Sequence, residues 1–307
     1  MTVTATILEN TPLQENLVPI RHMKFEFNES KAAKYCWNNN AWGSAYIMTF
    51  SALIPAGERF VIEAVREFRD KIDDDELKAR VTGLIGQEAT HSKVHEEFNN
   101  MYDLKGFPIN ELERLGERVF VDFLYKRLPK KTSLAMACAI EHVTAIMAED
   151  AFGHNPEMLE LFDDVARDFL TWHLLEELEH KSVAYDLYEE VDGGYLHRVL
   201  SFLLIWSIAV PIGLYSVDKI LKTPSFSQGK KNNRRGAAFF SKSFLSFSPN
   251  FLAYFRRDFH PDKIDTKETL HVWRAKLFGK RGQFNKMLSK TITPKLKRSV
   301  SQQRLAS

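Results

Sequence analysis

Trp172-His173-Leu174-Leu175-Glu176-Glu177-Leu178-Glu179-His180 is the stretch on which the reading of this chain turns. As a helix it sets His173, Glu177 and His180 at i, i+4 and i+7, so two imidazoles and a carboxylate project from one stripe and converge beside it. That donor set suits a metal ion. One Glu-x-x-His alone is an ordinary feature of a solvated helical face. A second copy, Gln87-Glu88-Ala89-Thr90-His91, lies about ninety residues upstream and makes the pair informative.

Two Glu-x-x-His pairs plus one Glu from each of two further helices form the ligand set of di-iron four-helix bundles. The first further glutamate comes from a helical stretch at about 41 to 69, which Pro55 and Gly57 are expected to bend. Glu58 has Ile54, Val61, Ile62 and Val65 as helical neighbours, whereas Glu63 has Arg59, Arg66, Glu67 and Asp70. Glu58 therefore faces the core, where a carboxylate is costly unless it is paired or binds a metal. Asp73-Asp74-Asp75 caps the next helix, about 75 to 102, with Glu88, His91 and His95 on a stripe continued by Val81, Leu84 and Phe98. His95, one turn further along, reads as a hydrogen-bond partner of a ligand or a satisfied buried histidine, with ligation as the third reading.

Gly106, Phe107 and Pro108 interrupt the pattern, and a short helix covers about 110 to 127. A third core helix, about 131 to 152, has the inward stripe Leu134, Cys138, Glu141, Ala145 and Ala148. Glu141 is the second further glutamate, Glu149 its competitor, and His142 reads as structural. The fourth core helix, about 157 to 191, carries the opening motif and closes at Gly193-Gly194. The candidate metal ligands are thus Glu58, Glu88, His91, Glu141, His173, Glu177 and His180. Glu88 and Glu177 are the natural bridges, and Glu58 and Glu141 the terminal ligands.

The 307 residues are 44% hydrophobic, ample for a core. Cys36 and Cys138 alone make no disulfide framework, and no basic segment followed by an apolar one opens the chain, so a reducing cytoplasm is the expected compartment. The net charge of +2 hides an asymmetry: from Asp218 onward there are 21 Lys+Arg against 5 Asp+Glu, leaving 21 against 35 for residues 1–217. The acidic part holds the metal candidates, and the basic part needs an anionic partner.

Between Arg198 and Asp218 run 19 uncharged residues, just under the roughly 20 that span a bilayer. Pro211 and three serines weaken a spanning reading, and a helix buried on the bundle is the plainer one. Basic residues from Lys219 to Arg235, and aromatic ones interleaved with them to Arg257, fit a helix in an anionic membrane interface, on the inner face of the membrane. Nucleic acid is not an expected partner, because no recognised motif accompanies the charge. Four segments follow: an N-terminal arm (1–39) whose Lys24-Phe25-Glu26-Phe27 lies on the surface, a four-helix di-metal core (40–192), a helical extension (193–289) and a disordered basic tail (290–307).

The segments Pro55-Ala56-Gly57-Glu58-Arg59-Phe60, Gln87-Glu88-Ala89-Thr90-His91-Ser92 and Ala139-Ile140-Glu141-His142 resemble the blocks of a ferritin-like family of predicted metal-dependent hydrolases, over roughly Phe25 to Phe278. The site is also similar to that of di-iron enzymes of the p-aminobenzoate N-oxygenase type, which carry an extra histidine one turn before the second Glu-x-x-His, where His173 stands. The resemblance implies an all-α, ferritin-like four-helix bundle with additional C-terminal helices. It further implies two iron ions, with manganese or a mixed pair as variants, and O2, an electron donor and a small hydrophobic or amphipathic organic substrate as partners. A di-metal hydrolase and a non-enzymatic metal- or membrane-binding protein are the alternatives.

Overall fold

In a computed structural model of the chain, residues 18–294 except 31 and 225 are described. They form nine α-helices and one two-stranded sheet, so the all-α expectation holds. Helix α1 (Ala41–Arg69) starts at Asn40, whose side chain accepts from Gly43 N at 2.9 Å, and it runs through Pro55 without ending. Helix α2 (Asp75–Leu104) starts at Asp74, whose carboxylate accepts from the amides of Glu76 and Leu77. A short α3 (Ile109–Gly116) continues into a π-helical stretch, Glu117–Tyr125. Helix α4 (Lys130–Glu149) is buried on nearly all sides, its run from Ser133 to Ala139 being wholly inside, and a π-helical turn Asp150–His154 prolongs it.

The fourth core helix is shorter than its periodicity predicts. A 3-10 segment, Pro156–Leu161, comes first, and Asp163 then caps α5 (Asp164–His180) by accepting from Ala166 N at 2.7 Å. The chain turns at Lys181-Ser182 before α6 (Val183–Glu190), although neither Gly nor Pro marks the break. Helices α1, α2, α5 and α4 close a ring in which each packs on its two neighbours. Two apolar clusters fill the ring's two ends, and the metal candidates sit at mid-height between them.

Helix α7 (Tyr195–Leu221) lies on α1 and α4, and α8 (Lys230–Ala253) lies against the same two helices. Helix α9 (Lys267–Phe278) packs on α5. The 19 uncharged residues are neither fully buried nor free of the bundle: Phe202, Ile205 and Val217 face inward while a row of leucines faces out. Phe239 and Phe240 of α8 turn inward onto Trp37, with ring centroids 4.7 and 4.9 Å away, so the start of this aromatic run packs against the core while Phe244 stays 46% exposed.

The described part of the N-terminal arm, from Val18, packs on the bundle, with Phe25 and Phe27 half-buried and Lys24 and Glu26 exposed. Strand β1 (Ile20–Met23) pairs antiparallel with β2 (Leu288–Ile292), Ile20 opposite Ile292, so the tail expected to be disordered from Lys290 begins as a strand. The rest of that expectation, residues 295–307, lies outside the described residues. Phe25 packs on Trp172 (5.6 Å) and Phe27 on Phe98 (5.8 Å) and Phe169 (5.6 Å), which ties the arm to α2 and α5.

Close approach of the arm depends on Gly83, where an added Cβ would stand 2.4 Å from Val18 O. Alanine in a helix is worth about 1 kcal/mol over glycine, but overpacking costs about 1–3 kcal/mol. Gly83→Ala is therefore expected to lower stability in urea unfolding. Gly57→Ala, with nothing within 4 Å of its Cβ, is expected to raise it by about 0.5–1 kcal/mol.

Candidate metal centre

Four helices bring their acids and imidazoles to one buried point. Glu58 comes from α1, Glu88, His91 and His95 from α2, Glu141 from α4, and His173, Glu177 and His180 from α5. None is more than 5% exposed. Glu88, His91, Glu177 and His180 form one group whose donor atoms lie within 4.8 Å of one another, and Glu58, His95 and His173 form a second. Glu177 Oε1 stands between them, 3.7 Å from His91 Nδ1, 3.9 Å from His180 Nε2 and 3.0 Å from His173 Nε2.

Among the described residues, Glu58, His91 and His180 share a pattern in which one end is held and the other is bare. Glu58 Oε2 accepts from the Ser92 hydroxyl at 2.6 Å, and its Oε1 has no hydrogen-bond partner. His91 Nε2 lies 3.0 Å from Glu176 Oε2, and its Nδ1 has no partner. His180 Nδ1 lies 2.6 Å from Glu141 Oε2; its Nε2 and Glu88 Oε1 are 3.1 Å apart but not aligned as a hydrogen bond, and both are orphaned. Buried polar atoms are rarely left so. His91 Nδ1 is 3.7–4.0 Å from Glu58, Glu88 and Glu177 alike. Two donors each about 2.1 Å from one ion at 90–120° stand about 3.0–3.6 Å apart, so these gaps are close to what a shared cation requires.

His95 shows how a tautomer is set. The Asn99 amide is oriented by donating to Ser51 O (2.9 Å) and Glu113 Oε1 (2.8 Å), so its Oδ1 accepts the Ser51 hydroxyl proton (2.7 Å). Ser51 Oγ can then only accept from His95 Nδ1–H, at 2.8 Å. His95 Nε2 is left unprotonated and faces His173 Nδ1 at 3.2 Å.

Of the seven residues the sequence singles out, six fall in the two groups. Glu141 stands outside both groups, its Oε2 lying 2.6 Å from His180 Nδ1. His95 joins Glu58 and His173, which its spacing from His91 left open. Glu149 instead lies 3.3 Å from His154, away from the site, and His142 Nε2 contacts Asn250 O at 3.1 Å. What sequence reasoning missed is the outer support. Buried Arg21 of β1 binds Glu176 and, bidentately, Glu179, and Gln87 and Arg274 also donate to Glu179. Only the alternating Glu176, Glu177 and Glu179 hinted at it.

Electrostatics follow from burial. Burial and then the Glu88 charge hold Glu58 well above the usual carboxylate range. Burial, then Glu177, pushes Glu88 up to about 7, and burial raises Glu141. Glu177 is lowered, because His180 and His173 outweigh its burial. Burial, then His173, keeps His91 and His95 neutral, whereas Glu141 and Glu177 overcome burial to raise His180. Four carboxylates match the charge of two divalent cations, and the neutral imidazoles of His91 and His95 are in the form that binds metal, whereas His180 would have to give up its proton. The site thus offers two buried groups of carboxylate and imidazole donors for metal ions.

Two predictions follow from this geometry. In chelator-treated protein, a raised Glu88 means the folded state holds the proton better, a stability present below the ordinary pKa and lost as pH rises to about 7. The metal-free Glu88→Gln variant should therefore gain on the wild type by about 1.4 kcal/mol per pH unit across that window, read from urea midpoints at about pH 5 and pH 7.5. Ser51→Ala removes the acceptor that fixes His95 and should weaken metal affinity about 10- to 100-fold in chelator competition, with helical circular dichroism unchanged.

Residues 19–265 match the family described as predicted metal-dependent hydrolase. No curated protein and no solved structure matches the chain. With a match across most of its length and two buried groups of metal donors at its centre, the chain belongs to the predicted metal-dependent hydrolase family.

Proposed function

We propose that the protein is a di-iron carboxylate oxidase or oxygenase acting on a small hydrophobic or amphipathic organic molecule. The observation that carries this reading is closure: every donor is at least 95% buried, beneath Trp172, which stands edge-on to His91 with ring centroids 4.9 Å apart. A closed site keeps bulk water from reactive species. Hydrolysis, by contrast, consumes water at the metals.

Bound, a pair of iron ions would supply electrons to O2. The chain's own residues do the rest. Glu58, Glu88 and Glu177 hold negative charge that stabilises the higher oxidation states, with Glu177 bridging the two groups. Glu176 and Glu141 fix the ring orientation of His91 and His180. The Ser51–Asn99–Glu113 chain does the same for His95. Iron or manganese suits this mix of imidazole and carboxylate better than a thiophilic ion. The second reading is a di-metal hydrolase, favoured by the family's description.

Anaerobic loading with Fe(II) followed by O2 separates the two. The oxygenase reading expects two irons per chain that oxidise together, an oxidised di-iron absorption and Mössbauer signature, and O2 uptake. Glu88→Ala and His180→Ala should each abolish them. Redox-silent metal with turnover of an ester or amide in the absence of O2 and reductant would establish the hydrolase instead.

A further inference from the structure

Helix α7 presents an apolar face that the described residues leave uncovered. Leu196, Leu200, Leu203, Leu204, Val210 and Leu214 point outward, Leu196 being 68% and Leu214 64% exposed, and Tyr215 continues the row. At 1.5 Å per residue the row is about 28 Å long. Its most apolar 18-residue window has mean hydropathy 2.0 yet is only 22% buried, whereas the comparable window of α1 is 67% buried. Among the described residues, no charged side chain falls between Arg198 and Asp218.

The rim of this face is basic. Along one edge, Glu111, Arg114, Leu115 and Arg118 meet Pro211, Ile212 and Tyr215 around an open groove of about 600 Å³, where the two arginines outnumber the one acid. Lys219 and Lys222 stand at the C-terminal end, paired with Glu111 and Asp218. At the N-terminal end Arg257 lies 5.0 Å over the Tyr195 ring, and Arg256 pairs with Asp258 at 3.3 Å. Six cations therefore face three acids.

We propose that the outer face of α7 lies in the interfacial layer of an anionic lipid bilayer, with Arg114 and Arg118 taking headgroup phosphates at the groove. The helix does not cross the bilayer, because its inner side is committed to the protein. Phe202, Ile205, Val217 and Ile220 are buried, and the buried Arg198 donates to the carbonyls of Tyr254 and Arg256. A second copy of the chain is the poorer occupant, since parallel or antiparallel pairing of these faces sets basic ends against basic ends. Apolar side chains in the interface and cations on headgroup phosphates are the two contributions that bind such a helix.

The test is co-sedimentation of the full, metal-loaded chain with phosphatidylcholine vesicles, with and without about 30% phosphatidylglycerol. The expected result is binding to the anionic vesicles alone, weakened by salt. Arg114→Gln/Arg118→Gln should reduce partition roughly 30-fold, about 5-fold for each charge near the surface. Leu200→Glu/Leu214→Glu, at exposed positions, should abolish it while circular dichroism and metal content stay unchanged. Equal binding to neutral vesicles, or no binding to either, overturns the proposal. So does a concentration-dependent dimer in sedimentation equilibrium that Leu200→Glu/Leu214→Glu disperses, which would assign the face to a second copy.

Discussion

Four carboxylates from four helices meet where water does not reach, and the rest of the structure has to answer for their charge. Glu58, Glu88, Glu141 and Glu177 are each 5% exposed or less. Left ionised and unpaired, such groups cost several kcal/mol apiece. The chain's own cations meet only part of the demand: His180, raised by Glu141 and Glu177, carries one charge, and buried Arg21 is taken up by Glu176 and Glu179. Protons on the raised carboxyls or metal cations between them are the two remaining ways to neutralise the centre.

The support around the donors explains why distant parts of the chain close on this point. Strand β1 is held by β2 from the far end of the described sequence, and it delivers Arg21 to Glu176, which orients His91. From α9, Arg274 reaches Glu179, the same carboxylate that Gln87 and Arg21 bind. Phe25 seals Trp172, which lies against His91. Deleting the arm or the C-terminal helix would thus act on metal ligands that neither segment contributes, which is the usual leverage of outer-shell contacts.

Periodicity made half of the centre legible and hid the other half. Glu88 with His91, and His173 with Glu177 and His180, lie within two turns of one helix, so spacing alone sets their common stripe. Glu58 was readable because its helical neighbours are apolar while those of Glu63 are charged. His95 stayed ambiguous, since its role is decided by Ser51 and Asn99, and Ser51 lies 44 residues away on another helix. Arg21 was out of reach for the same reason, 155 residues from Glu176. Composition also could not tell α1 from α7 as apolar helices, because burial depends on what each packs against.

Charge neutralisation also links folding to metal uptake. Without metal the raised carboxyls keep protons, and His91 and His95 are held neutral by burial. Binding two divalent ions must displace those protons, so affinity rises with pH and metal binding contributes directly to the stability of the folded chain. The surrounding apolar clusters need only make the bundle fold with a protonated centre. Ions held there would tie α1, α2 and α5 together through a region of poorly satisfied polar atoms, with Glu141 of α4 in contact with His180.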